Sequence, residues 1–139
     1  MAYNLTCYCG ATSAVVTADV LTVAACHCGD CRRWTGAPLP AFAAFPTDAV
    51  PADFGRPYVA TSGAVRRNCP HCGSPMAAEF PYLPGQTYVP VGVIAEAADL
   101  IPEVECHVEK RLGWLHLDRS VPSQRGSARA FLNKGSTGG

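Results

Sequence analysis

Cysteine is the residue type that dominates the chemistry of this chain. Eight cysteines occur among 139 residues, and seven of them fall into three tight groups. These are the first pair (Cys7, Cys9), the triplet (Cys26, Cys28, Cys31) and the last pair (Cys69, Cys72). A glycine accompanies each group and lets the backbone fold around a metal ion. Because clustered thiolates are preferred ligands of Zn²⁺, we expect metal binding rather than a disulfide framework.

The seven clustered thiolates divide naturally into four and three. Structural zinc takes about four protein ligands, and catalytic zinc takes about three and keeps one position open. Spacing leaves the pairing undecided. Either two cysteines of the triplet join the last pair in a ribbon-type site, or the first pair joins the last pair and leaves the triplet open. One ribbon site with the other cysteines free, and rubredoxin-like iron at a four-cysteine site, are further alternatives.

An open three-thiolate site suits the binding of another thiolate. Three thiolates give a bound Zn²⁺ a net charge of about −1, which weakens its activation of water but still allows it to hold a nucleophilic thiolate. Nearby cations would stabilise that charge. Six of the 11 basic residues occur as adjacent pairs, namely Arg32-Arg33, Arg66-Arg67 and Lys110-Arg111. We predict an electropositive pocket for an anionic thiol, with substrate-binding roles for Arg32, Arg33, Arg66 and Arg67.

Composition restricts the class of protein. The length fits one domain, and 48% hydrophobic residues can form a real core. The formal net charge is zero, which argues against nucleic acid as a partner. No apolar run reaches the roughly 18 residues of a membrane helix, so we expect no membrane partner. The first ten residues lack the pattern of a signal peptide, so we expect a cytoplasmic protein.

The chain is expected to consist mainly of short strands. Thirteen glycines and twelve prolines favour turns, and no segment shows sustained helical periodicity. A short helix is predicted to begin at Asp30, capped by its carboxylate. A hairpin is predicted around Ser62-Gly63. Other strands are predicted within 12–25, at 39–45 as an edge strand, and within 76–80, 87–94 and 104–117.

Several motifs with their flanking residues resemble one enzyme family. They are Cys7-x-Cys9-Gly10, Cys26-His27-Cys28-x2-Cys31-Arg32-x2-Thr35-Gly36, Arg66-Arg67-Asn68-Cys69-Pro70-x-Cys72-Gly73, and Trp114-Leu115-x-Leu117-Asp118. The sequence resembles the glutathione-dependent formaldehyde-activating enzymes, a family that includes centromere protein V-like members. The resemblance implies a mainly β fold, a compact Mss4-like β-tent with zinc knuckles and few short helices. It implies one zinc-binding domain over 1–122, followed by a polar, partly flexible tail over 123–139.

The resemblance also implies a function and a ligand assignment. Two zinc ions per chain are implied, a structural one at Cys7, Cys9, Cys69 and Cys72 and a catalytic one at Cys26, Cys28 and Cys31. The implied activity is that of a carbon–sulfur lyase, in which a small thiol such as glutathione adds to an aldehyde such as formaldehyde. The alternative is a zinc-stabilised Mss4-like protein-interaction module without catalysis. Family members often carry a histidine where this chain has Glu105.

Other polar and aromatic residues receive simpler predictions. His27 is expected beside the metal site or exposed rather than as a ligand, and His71 is expected to be exposed. Cys106 is expected to be buried without a metal. His107-Val-Glu109 matches the H-x-E of zinc deaminases, but the order of the cysteine motifs does not. Core or pocket-wall positions are predicted for Trp34, Phe42, Phe45 and Trp114, and positions near the open site for Asp30 and Thr35.

Overall fold

Short strands make up most of the regular structure. The computed structural model describes residues 1–116 and 120–134, and within these ranges nine strands form two sheets. The strands are β1 (Tyr3–Thr6), β2 (Ser13–Val16), β3 (Thr22–Cys26), β4 (Ala41–Pro46), β5 (Arg56–Val59), β6 (Val65–Asn68), β7 (Pro75–Glu79), β8 (Gln86–Pro90) and β9 (Val104–Cys106). The helices are α1 (Gly29–Thr35) and α2 (Arg129–Asn133), with single 3₁₀ turns at Thr47–Ala49, Val91–Val93, Ala97–Asp99 and Val108–Lys110.

The larger sheet has seven strands in the order β5-β6-β7-β8-β4-β3-β9. All its neighbours run antiparallel except β3 and β9, which are parallel. Strands β1 and β2 form a separate antiparallel hairpin. A single bridge between Leu5 and Ile94 and two hydrogen bonds from Asn4 to the Glu96 carboxylate join the hairpin to the segment after β8. The mainly β expectation is therefore confirmed.

The two faces of the large sheet carry separate cores. Side chains alternate along β4, so Ala43 and Phe45 face one side while Phe42 and Ala44 face the other. The β1–β2 hairpin covers the first side, which we call the hairpin face. Helix α2 and part of α1 cover the second side, which we call the helix face. Each face carries one of the two cysteine groups described below.

Two local predictions need correction. The strand around 39–45 was expected at a sheet edge because of its prolines, but β4 is central, between β8 and β3. Pro38 and Pro40 precede β4, so neither of them removes a backbone N–H group from the hydrogen bonds of this strand. The helix predicted to start at Asp30 is present, but its N-cap is Cys28, whose sulfur accepts a hydrogen bond from the Cys31 N–H at 3.3 Å.

The C-terminal third also differs from its prediction. Of the strand expected over 104–117, the described part, 104–116, forms a strand only at Val104–Cys106, and Trp114 is 65% exposed rather than buried. Ser123 bridges to Glu105, and Leu132 of α2 is buried in the helix-face core, so this stretch is not simply the polar tail that is predicted for it. The predicted domain boundary at 122 stays a prediction. Leu117 and Asp118 of the resemblance motif, and 135–139 of the predicted tail, lie outside the described residues. Across those described residues, no helix combines the length and apolar character that crossing a membrane requires.

Replacing Phe45 by alanine is expected to destabilise the protein strongly. Phe45 is 0% exposed on the hairpin face and meets Tyr3 edge-on at 5.4 Å between ring centroids. The cavity left by Phe45→Ala should lower the free energy of unfolding by about 4 kcal/mol, measured by urea denaturation. Tyr58→Ala removes a side chain that is 70% exposed and should change it by less than about 0.5 kcal/mol. Equal effects of the two substitutions would contradict this description of the core.

Candidate metal centres and active-site cavity

Four cysteines come together where the β1–β2 hairpin meets the β6–β7 turn. They are Cys7, Cys9, Cys69 and Cys72, and their sulfurs all lie within 4.8 Å of one another. Two of the sulfur–sulfur distances, Cys7 to Cys9 at 3.6 Å and Cys9 to Cys69 at 3.9 Å, match the roughly 3.8 Å between sulfurs on a tetrahedral zinc. The donor set therefore fits zinc. We call this group the knuckle site, and its composition excludes the ribbon pairing of the triplet with the last pair.

Two tight turns shape the knuckle site. Gly10 follows Cys9 at φ 86° and Gly73 follows Cys72 at φ 80°, a backbone region that other residues rarely adopt. Each turn aims backbone N–H groups at sulfur, as in the Thr12 N–H that donates to Cys7 at 3.2 Å. The Ser74 hydroxyl accepts the Tyr8 N–H at 3.0 Å and so connects the two turns.

Hydrogen bonds favour the thiolate form of two of the knuckle cysteines, Cys69 and Cys72, while the pKa of Cys9 is raised to about 11. The Ser74 hydroxyl, 3.1 Å from the Cys72 sulfur, lowers the pKa of Cys72 to about 5. A hydrogen bond from Thr12 is the largest cause that lowers the pKa of Cys69 to about 7. Thiolates rather than thiols bind metals, so this environment prepares the group for a cation.

The triplet assembles on the helix face, where β3 leads into α1. Cys26 ends β3, Cys28 caps α1 and Cys31 lies in its first turn. Their sulfurs also lie within 4.8 Å of one another. Hydrogen bonds between the thiols raise the pKa of Cys26 and lower that of Cys28, with the Cys26–Cys28 bond the largest cause of both shifts. Three sulfurs with no fourth cysteine at that distance fit a metal site with an open position.

A cavity of about 240 Å³ opens beside the triplet. All three triplet cysteines line it, and none of the knuckle cysteines does. Its walls are mainly aromatic and aliphatic, with Phe42, Phe80, Tyr82, Tyr88 and Leu132 among them. Burial is the largest cause that raises the pKa of Tyr82 to about 12, followed by the charges of the cavity thiols, so its hydroxyl stays protonated at neutral pH.

Arg66 is the arginine that the structure brings to this cavity. Its two terminal nitrogens lie 4.0 and 3.9 Å from the Cys31 sulfur. Its guanidinium carbon lies 4.9 Å from the Trp34 ring centroid and 5.4 Å from that of Phe80, so two aromatic faces hold the cation in place. A fixed positive charge therefore stands beside the thiol cluster.

The other predicted arginines lie elsewhere. Arg67 follows Arg66 on β6, so it points to the opposite face, where it meets Glu79 at 3.5 Å. Arg33 is exposed and lies 3.9 Å from Asp30. Arg32 is partly buried and is absent from the cavity wall. Of the four arginines proposed for substrate binding, only Arg66 lines the cavity.

A buried hydrogen bond between His27 and Glu105 lies next to the triplet. His27 Nε2 lies 2.8 Å from a Glu105 carboxylate oxygen, with both side chains at most 2% exposed. The same oxygen accepts a hydrogen bond from Arg111 at 3.1 Å. Since His27 stands between Cys26 and Cys28, the pair fixes the orientation of the loop that carries both sulfurs. His27 is buried rather than exposed, and sequence reasoning missed its pairing with Glu105 because 78 residues separate them.

Some of the remaining predicted residues line the cavity, and others make contacts within the fold. Asp30 lines the cavity, whereas the Thr35 hydroxyl donates to the Cys31 carbonyl at 2.7 Å within α1. Cys106 is buried, as expected, and lines the cavity beside Cys26 but is not part of the triplet group. His107 also lines the cavity, a position that the sequence analysis did not predict. His71 is exposed, as expected.

Removing Glu105 is expected to weaken metal binding at the triplet. Glu105→Ala leaves His27 and Arg111 without their shared carboxylate and loosens the loop between Cys26 and Cys28. The affinity of the triplet for Zn²⁺ should fall by about 10–100-fold, measured by competition with a chromophoric chelator. The knuckle site should keep its affinity, and Asp53→Ala, which removes an exposed carboxylate, should alter neither site. An equal loss at both sites would contradict a local role for Glu105.

Comparisons with known proteins agree with the cysteine pattern. The family model of the glutathione-dependent formaldehyde-activating enzyme matches residues 2–110. A crystal structure of a Rhodobacter sphaeroides protein, a structural genomics target, is similar at 20% identity and a TM-score of 0.53, over 87% of this chain and 99% of that one. That likeness shows a shared fold. No curated protein matches this chain. Because the family match spans most of its length, the chain belongs to the glutathione-dependent formaldehyde-activating enzyme family.

Proposed function

We propose that this chain is a zinc-dependent enzyme of the carbon–sulfur lyase type. It joins a small thiol to an aldehyde and catalyses the reverse cleavage. Glutathione and formaldehyde, which give S-hydroxymethylglutathione, are the pair that the family name supports. The observation that carries the proposal is that the three-cysteine group lines the cavity of about 240 Å³, whereas none of the four knuckle cysteines lines it.

The two cysteine groups have different roles in this proposal. One zinc ion at the knuckle site is structural, since Cys7 and Cys9 come from the hairpin and Cys69 and Cys72 from the large sheet. The second zinc ion belongs to the triplet. Zinc held there by Cys26, Cys28 and Cys31 would supply an open position and the positive charge that stabilises a further thiolate.

Residues around the triplet balance charge and exclude water. The guanidinium of Arg66 offsets the negative charge of the thiolates and is available to an anionic group of the thiol. The aromatic and aliphatic walls keep water away from the reacting sulfur, which strengthens this electrostatic interaction. A volume of about 240 Å³ suits the thiol end of a substrate together with a small aldehyde.

The chemistry also favours a reducing compartment. All eight cysteines are free thiols, and disulfides are rare where glutathione keeps thiols reduced. We therefore include a cytoplasmic location in the proposal.

The direct test is catalysis of thiol–aldehyde exchange. With zinc loaded, the protein should accelerate the exchange between free formaldehyde, glutathione and their adduct, measured by exchange NMR against buffer alone. Cys31→Ser should abolish the acceleration, while Cys106→Ser should keep it because Cys106 lies outside the metal group. Failure of the wild-type protein to accelerate exchange with any small thiol and aldehyde would overturn the proposal.

Arg66 is expected to act mainly on thiol binding. Arg66→Ala removes the one arginine that lines the cavity within residues 1–116 and 120–134, and the KM for an anionic thiol should rise by about 10–100-fold, as expected for a hydrogen bond to a charged group. Arg66→Lys should restore part of the loss through charge alone. Arg56→Ala, which removes an exposed arginine of β5, is the matched control and should leave the KM unchanged. An unchanged KM in Arg66→Ala with full metal content would exclude this role.

A further inference from the structure

His107 has an unusual backbone at the cavity wall. It follows Cys106 at the end of β9 and adopts φ 56°, in the left-handed region that non-glycine residues rarely enter. Two backbone hydrogen bonds hold it there, from its N–H to Gly126 at 2.7 Å and from the Lys110 N–H to its carbonyl at 2.9 Å. The turn thereby places the imidazole on the wall of the cavity that the triplet lines. Strained backbone of this kind tends to be retained where a side chain must be aimed at a site.

A carboxylate orients the His107 ring. Nδ1 of His107 lies 3.4 Å from one carboxylate oxygen of Glu109, and the other oxygen accepts the Gly126 N–H at 2.9 Å. A carboxylate only accepts hydrogen bonds, so Nδ1 carries the proton in the neutral ring and Nε2 keeps its lone pair. Within residues 1–116 and 120–134, Nε2 has no hydrogen-bond partner. In the neutral ring, Nε2 is therefore the atom that can take up a proton.

The other polar groups on the cavity wall are less suited to moving a proton. The Tyr88 hydroxyl donates a hydrogen bond to the side-chain oxygen of Gln86 at 2.5 Å. Tyr82 keeps its proton at neutral pH and cannot take one from a thiol. Asp30 has its carboxylate 82% exposed and beside Arg33. Imidazole is the side chain that exchanges protons most readily near neutral pH.

We propose that His107 is a catalytic residue that carries the proton between the thiol and the aldehyde oxygen, and that Glu109 is its positioning residue. This inference rests on the proposed thiol–aldehyde reaction. In the forward direction Nε2 of His107 takes the thiol proton, and the sulfur lone pair forms the bond to the carbonyl carbon. The π-electron pair of the carbonyl moves to oxygen, which takes the proton back from Nε2. The reverse reaction removes the hydroxyl proton, breaks the carbon–sulfur bond and returns the electron pair to sulfur, with no net oxidation.

The first experiment compares His107→Gln with His116→Gln, an exposed histidine outside the cavity. In zinc-loaded protein with glutathione and formaldehyde, His107→Gln should lower kcat at least about 100-fold, while KM and zinc content stay within about 3-fold. His116→Gln should match the wild type. Glu109→Gln should lower kcat about 10-fold at unchanged KM. Added imidazole should partly restore His107→Ala, which a purely structural role would not allow.

A second readout is independent of turnover. Calorimetry of glutathione binding in two buffers with different ionisation enthalpies counts the protons released. The wild type should release fewer protons per thiol bound than His107→Gln, because the imidazole retains the thiol proton. Wild-type activity that persists in His107→Gln, or equal proton release, would overturn the role of His107 and leave the proposed reaction standing. An inactive wild type would overturn the proposed reaction and this inference together.

Discussion

Mutual repulsion between clustered thiolates is the constraint on which this structure depends. Seven sulfurs are held in two groups with separations below 4.8 Å, at positions where hydrogen bonds favour the charged form of several of them. Such groups are stable together when a cation offsets their charge. At the knuckle site the four cysteines come from both the β1–β2 hairpin and the large sheet, so a metal ion bound by all four would hold the hairpin against the sheet. At the triplet the same repulsion favours a cation, and three sulfurs would leave one side of that cation open to the cavity.

The alternation of side chains along the strands separates these two environments. Arg66 and Arg67 are adjacent in sequence, yet one lies beside Cys31 and the other beside Glu79 on the opposite face. Residues of β4 contribute in turn to the hairpin-face core and to the cavity face. One sheet therefore carries a closed cysteine site on its hairpin face and an open one beside a cavity on its helix face. This arrangement gives the two cysteine groups different access to small molecules although their ligand chemistry is the same.

The cysteine groups could be predicted from sequence because their spacing is short and their chemistry is specific. Strand content and the hairpin around Ser62-Gly63 followed from turn residues and β-branched side chains. The pairing of the groups could not be derived from spacing, because it depends on how the hairpin packs on the sheet. The same holds for the His27–Glu105 pair, which joins β9 to the segment before α1, and for the position of His107 on the cavity wall. The prediction of a core or pocket-wall position for Trp114 is wrong. Large aromatic side chains are usually buried, but this one is exposed.

Metal content per chain tests the central claim most directly. Elemental analysis of the purified protein, before and after a wash with a mild chelator, should give two zinc ions falling to one. Cys31→Ser should hold one ion throughout, because the knuckle site encloses its metal and the triplet does not. A single ion that the chelator never removes from the wild type, with three thiols still open to alkylation, would contradict the account. The triplet would then hold no metal, and the proposed chemistry would have no centre at which to occur.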